Sequence, residues 1–172
     1  MLSIPIAVKN RLQLPTLCLS CLAMPPLPET AIRPMNVADI DAVLAIEQAS
    51  FPLPWKHEHF LQEIASPHGY PLVIEVAGCL RGYVCLSSLF EVAQILDIAV
   101  APDQRGQGLA RMLIERAIAV AIEKGAEVLE LEVRSTNSPA IALYEMLGFE
   151  RTGGRARYYE GVDDAVLMEK HL

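Results

Sequence analysis

Long apolar runs are missing from this chain of 172 residues. No stretch approaches the roughly 20 apolar residues that a membrane-spanning helix needs, so no membrane partner is expected. Cysteine is sparse: there are four, read as ordinary reduced thiols. Cys18-Leu-Ser-Cys21 has metal-ligand spacing but lacks a second Cys/His pair, so no metal site is expected. Cys79 and Cys85 fall in apolar strand-like runs and read as packing residues. Positive charge is also short, with 14 Lys/Arg against 21 Asp/Glu and a net charge of −7. Lys9 and Arg11 carry the only charges before Glu29, which leaves the rest more acidic still. Such a balance argues against nucleic acid as a partner and suits a basic peptide, while serving solubility equally well. Internal repeats and low-complexity blocks are absent.

What is present fits one sizeable core: about half of the residues are apolar, in a chain short for two domains. The informative stretch is Ile95 to Val120. An apolar run ends at Val100, a Pro-Asp turn follows, and Arg105-Gly106-Gln107-Gly108-Leu109-Ala110-Arg111 opens an amphipathic helix. A glycine-rich turn feeding a helix N-terminus offers backbone N–H groups and the positive end of the helix dipole. That combination suits phosphate or pyrophosphate. A Cβ at position 106 or 108 would hold such a ligand off the backbone and restrict φ. A Walker loop is excluded, because no lysine occurs between Lys56 and Lys124. A dinucleotide fingerprint would want glycine at Arg111 and its first glycine directly after the strand.

Ala126 to Val133 reads as a strand with Leu129, Leu131 and Val133 on one face and Glu130 and Glu132 on the other. A loop, Arg134 to Pro139, follows. Asn137 or Ser138 caps a short helix over Ala140–Leu147, which Gly148 closes. Arg105, Gly108 and Ala110 match the [R/Q]-x-x-G-x-[G/A] signature of the GNAT acetyltransferase superfamily. The string LEVRSTNSPAIALYEMLGF resembles the second half of the GNAT core. Within that superfamily the chain is most similar to the RimI-type ribosomal-protein-alanine N-acetyltransferases. The likeness runs from about Ala31 to Lys170.

The remaining elements can be placed around this segment. Ala31–Pro34 reads as a short strand, and Asn36 with Asp39 as a helix start, with Val37, Ile40, Val43 and Leu44 forming a core stripe. Phe51-Pro52-Leu53-Pro54-Trp55 forms a rigid loop before a second helix carrying Phe60, Leu61 and Ile64. His57 and His59 do not share a helical face and are expected to be exposed. Leu72–Ala77 and Leu80–Ser88 form a hairpin across Gly78. Phe149–Gly153, then about Ala156–Tyr159 and Ala165–Glu169, supply the last strands. The resulting β-α-α-β-β-β-α-β-α-β-β order is that of the GNAT fold, an α/β (mixed α+β) class with a central mixed sheet and helices on both faces. Residues 1–29, broken by prolines, read as a mobile extension without catalytic role, and 30–172 as the acyltransferase domain.

The resemblance implies acetyl-CoA as acetyl donor and no metal. It places the donor between splayed strands, with the backbone of Ile98, Ala99 and Val100 pairing to the pantetheine arm. Gly106 to Arg111 (Gly106, Gln107, Gly108, Leu109, Ala110 and Arg111) would take the pyrophosphate, with Arg105 or Arg111 adding charge. Asn137 would hold the pantetheine through its amide, or would serve only as a helix cap. Glu132 stands in the general-base position and Tyr144 in the general-acid position. Trp55, Arg157, Tyr158 and Tyr159 would line the acceptor groove, although Leu53-Pro54 is an insertion there. The implied acceptor is the N-terminal amine of a ribosomal protein, on alanine, met in the cytoplasm by a monomer. A lysine or small-amine acetyltransferase and a non-catalytic acyl-CoA-binding module are the alternatives. The pairing of Glu132 with Tyr144 argues against the module, because a binder needs neither.

Overall fold

The computed structural model describes residues 29–159 and 161–172. The reading of residues 1–28 as an extension, and the Cys18/Cys21 pair with it, lies outside the described residues. The order is β1 (Thr30–Pro34), a 3-10 turn (Val37–Asp39), α1 (Ile40–Ser50), α2 (His57–Ala65), β2 (Leu72–Val76), β3 (Cys79–Leu89) and β4 (Val92–Val100). After a second 3-10 turn (Pro102–Gln104) come α3 (Leu109–Glu123), β5 (Val128–Arg134), α4 (Ser138–Met146), β6 (Glu150–Tyr159) and β7 (Asp163–His171). The seven strands form one sheet in the order β1-β2-β3-β4-β5-β7-β6. All pairs are antiparallel except β4 with β5, which is parallel. A parallel pair needs a crossover, and α3 supplies it.

Strand alternation divides the core into two layers. On one face α3 and α4 pack Leu113, Ile114, Ala117 and Ile141 against Ile74, Val84, Leu86, Leu129 and Leu131. On the other, α1 and α2 bring Ile40, Val43 and Phe60 down on Val73, Tyr83, Cys85 and Ala99. Each fully buried side chain such as Leu113 or Phe60 contributes roughly 1.5–3 kcal/mol through its apolar area. Asn36 opens the first helical segment as expected: its carboxamide oxygen accepts the Ala38 N–H at 2.9 Å, and Asp39 accepts the Asn36 N–H at 2.8 Å. Asp39 also pairs with Arg33 at 2.7 Å, and that guanidinium holds its carboxyl below the ordinary range.

Several expectations need correction. Val37 is 57% exposed rather than part of the core stripe, because it sits in a 3-10 turn whose tighter winding rotates it off the Ile40–Val43 face. Cys79 is exposed and only Cys85 is buried, since Cys79 opens β3 beside the Gly78 turn. The segments 149–153 and 156–159 are one strand, β6, interrupted by two register shifts. His57 and His59 are exposed, as expected. The Nδ1 atom of His59 accepts the Lys56 N–H at 3.1 Å.

Candidate active site

Pairing between β4 and β5 stops at Ile95 and Leu131. Beyond that point β4 keeps its partner β3, while β5 keeps β7. The cause is visible in the register. Ile95 faces Leu86 and Asp97 faces Cys85, so Leu96 has no partner. Such a bulge bends a strand and re-aims the side chains that follow. Ile95 packs on the α3 side, and Asp97 is turned to the α1 side with its neighbour Ala99. The V-shaped opening is a cleft of about 800 Å³. A second cavity, of about 330 Å³, lies away from it between β1, α2 and α3.

Ile98, Glu132, Asn137, Tyr144, Trp55, Tyr158 and Tyr159 all line this one cleft. Of the remaining expected residues, Ala99 and Val100 are buried along β4 and lie outside the lining. Past Ile95 the edge of β4 that faces β5 has no strand paired to it among the described residues, leaving backbone groups to which an extended ligand can add as a strand does. Arg157 lies outside the lining. It occupies a left-handed backbone position, φ +53°, in the irregular stretch of β6, and its N–H is bonded to Asp164 at 2.8 Å.

Gly106 and Gly108 both adopt positive φ, +77° and +83°. Space around them is open, so conformation rather than crowding demands glycine here. Met112 is the first residue of α3 whose N–H reaches back, to the Gly108 carbonyl at 3.1 Å. The N–H groups from Gly106 to Arg111 therefore have no carbonyl partner among the described residues, the condition for an anion site. Arg105 is turned elsewhere: its guanidinium bonds the Val100 carbonyl at 3.1 Å and the Ser50 hydroxyl at 2.9 Å, tying β4 to α1. Arg111 pairs with Glu115 at 2.8 Å on the outer face of α3. Asn137 caps α4, its oxygen taking the Ala140 N–H at 3.3 Å. That cap leaves the NH₂ of the same amide as a donor in the cleft wall.

Glu132 alternates with the buried Leu131 and Val133 and so faces the α1 side, where Arg155 pairs with it at 3.1 Å. Tyr144 comes from α4 and is 6% exposed. Burial, then the charges of Tyr159 and Asp97, push its phenol well above the ordinary value, so it stays protonated. Its hydroxyl has no hydrogen-bond partner among the described residues and is not sealed off, so it opens onto the cleft. Tyr159 is pushed up to about 12 by burial first and by the Glu132 charge second.

Three groups in or directly behind this wall carry almost no signal in the sequence: Glu47 and Asp97 line the cleft, and Tyr83 is fully buried behind them. Glu47, on α1, is 1% exposed. Its carboxylate accepts the Trp55 N–H at 2.7 Å, fixing the start of the Trp55 segment, and also accepts from the Tyr83 hydroxyl. Tyr83 lies 3.0 Å from Asp97 as well. Burial, then the Glu47 charge, push Asp97 up to about 7, against the opposing pull of the Tyr83 hydrogen bond. The one available signal was an aspartate inside the apolar run Ile95-Leu96-Asp97-Ile98, since a buried acid is unusual.

Comparison with known proteins agrees with this geometry. The model of the acetyltransferase (GNAT) family matches residues 40–149. A Bacillus subtilis protein is 40% identical over 142 residues, covering 81% of this chain and 94% of its own. The [ribosomal protein bS18]-alanine N-acetyltransferase of Escherichia coli (strain K12) is 34% identical over 143 residues, covering 80% and 94%. The crystal structure of the ribosomal-protein-S18-alanine N-acetyltransferase from Escherichia coli superposes with a TM-score of 0.78 at 32% identity, covering 83% of this chain and 94% of that one.

Proposed function

The chain belongs to the acetyltransferase (GNAT) family, and from that premise we propose that it acetylates the N-terminal α-amine, on alanine, of a ribosomal protein of the bS18 type. The donor is acetyl-CoA. The observation that carries the reading is the single cleft between β4 and β5 into which Glu132, Tyr144 and Asn137 all open.

Acetyl-CoA enters from the α3 side. Its pyrophosphate meets the N–H groups of Gly106 to Arg111, and its pantetheine arm runs along the free edge of β4 near Ile98. The Asn137 amide steadies it. The acceptor enters from the α1 side between Trp55, Tyr158 and Tyr159. A terminal ammonium, with a pKa near ~8, must lose a proton before it can attack the thioester. Glu132 takes that proton, directly or through a water. The amine nitrogen then bonds the acetyl carbon, the carbon–sulfur bond breaks, and Tyr144 gives its hydroxyl proton to the departing thiolate; the second proton of the acylated nitrogen restores the Tyr144 hydroxyl, and Glu132 returns its own to solvent. Most of the acceleration comes from holding amine and thioester together.

The protein acts as a monomer in the cytoplasm, with neither nucleic acid nor membrane as partner. Its net charge of −7 supports the first exclusion. For the second, no helix among the described residues is long and apolar enough to cross a bilayer. Residues 1–29 take no part in catalysis. The test is a mass-spectrometric assay with acetyl-CoA, a peptide with a free N-terminal alanine, and the same peptide N-terminally blocked but carrying an internal lysine. Acetylation should appear on the first. Faster modification of the lysine peptide would overturn the assignment.

A further inference from the structure

Glu47, Tyr83 and Asp97 have roles beyond packing. The Tyr83 hydroxyl has one hydrogen, yet carboxylates of both acids lie within bonding distance of it. Among the described residues neither Glu47 nor Asp97 forms an ion pair with a cation. Two acids brought together in a protein wall without a cation are costly. The Leu96 bulge is what turns Asp97 toward Glu47, and both line the cleft. Opening onto the same cleft is the hydroxyl of the largely buried Tyr144, which has no hydrogen-bond partner among the described residues.

We infer that Asp97, positioned by Tyr83 and Glu47, is a second carboxylate of the acceptor site and seats the incoming ammonium from β4 while Glu132 faces it from β5. The inference rests on the reading of Glu132 as the acceptor's base. An ammonium carries three donors, more than one carboxylate can meet. Alternation places Glu132 on the α1 face of β5, and the bulge places Asp97 on the α1 face of β4. The two lips of the splay thus present acids to the same side. Tyr159, on the far wall, feels both charges. The missing countercharge of the Glu47–Asp97 pair is the substrate's own.

The seat works only when ionised. The titratable and charged groups around it and along the same cleft are Glu47 from α1, Tyr83 and Cys85 from β3, Glu132 and Arg134 from β5, Tyr144 from α4, Tyr158 and Tyr159 from β6 and Asp163 from β7, with Arg155 paired to Glu132. With Asp97 at about 7, acceptor binding weakens as pH falls below neutrality, and it weakens again above ~8 as the free α-amine loses its charge.

The experiment compares wild type with Asp97→Asn, using the full chain, saturating acetyl-CoA and a peptide with a free N-terminal alanine. Acceptor KM should rise about 10- to 100-fold, the range for a lost hydrogen bond to a charged group, with little change in kcat or in acetyl-CoA affinity by calorimetry. The fall of 1/KM below pH 7 should disappear. In Tyr83→Phe it should instead move to higher pH, because that variant loses the bond that favours the charged form of Asp97. A peptide whose α-amine is replaced by hydroxyl, used as competitor, should bind wild type more weakly than the amine form and Asp97→Asn equally. Unchanged KM and pH profile in folded Asp97→Asn would overturn the inference, as would an equal loss of binding for amine and hydroxyl forms. If wild type turns over no N-terminal amine, the acceptor assignment fails. Competition between amine and hydroxyl forms of the acceptor it does take then decides the role of Asp97.

Discussion

Replacing Asp97 by asparagine should make the protein more stable at the pH where wild type works. In the fold this carboxyl titrates at about 7 rather than at its ordinary 3.8. A raised acid binds its proton more tightly folded than unfolded, so its contribution to stability falls as pH rises between those two values and is level above them. At ~1.4 kcal/mol per pH unit, a gap from 3.8 to about 7 bounds the cost at roughly 4 kcal/mol at pH 8. Water entering from the cleft and the shared charge with Glu47 reduce this to ~1–3 kcal/mol. Asparagine removes the charge and keeps the bonding, since its oxygen can accept from Tyr83 and its NH₂ can donate to Glu47. At ~2–4 °C per kcal/mol for a domain of this size, the variant should melt several degrees above wild type at pH 8 and within a degree or two of it at pH 4. Calorimetric scans of both proteins across that range are the assay. A variant that melts lower at pH 8, or a difference that does not grow with pH, would refute the reasoning. The result would mark Asp97 as a residue kept at a cost in stability.

Tyr144→Phe should lower turnover by about 10² to 10⁴ at every pH, the usual span for one positioned acid, with unchanged acetyl-CoA affinity, because its contact with Phe149 survives. Glu132→Gln should slow the reaction too but recover as pH rises and more amine is already neutral, and two pH–rate profiles separate them. A phenylalanine variant with full activity would make Tyr144 a packing residue. Gly108→Glu should abolish calorimetric binding of acetyl-CoA: the new carboxylate meets the pyrophosphate with like charge, and the φ of +83° is one that glutamate rarely adopts. Circular dichroism should show the domain still folded. Removing Met1 to Ala23 should leave kcat/KM as it was, and a clear loss would assign the extension a part in the reaction.

Much of this arrangement is legible in the residues themselves. The alternation of Leu129, Leu131 and Val133 with Glu130 and Glu132 is a local pattern that survives folding. Asn137 caps the start of α4 and the left-handed Gly148 follows its last turn, as the sequence suggests, with the helix itself spanning Ser138–Met146. The Leu96 bulge is not legible, because an apolar run reads the same with or without one unpartnered residue. Glu47, Tyr83 and Asp97 are separated by 36 and 14 positions, so only sheet pairing and the docking of α1 bring them together. β6 is exposed along nearly its whole length. Lacking a buried face, it shows no alternation from which to place Arg157.

That unpartnered leucine divides the work of the enzyme between two sides of one sheet. On the proposed reading the donor is gripped by the glycine turn leading into α3, and the acceptor is judged by side chains under α1. If so, substitution at 47, 83 or 97 retunes which amine is accepted while the grip on coenzyme A is inherited intact. The reverse holds for the glycine turn. The leucine itself has no such freedom, since losing it would reverse the alternation of the residues that follow and turn Asp97 to the α3 side. A lineage built on this sheet can change its clients residue by residue, and it keeps that liberty only while the extra residue stays.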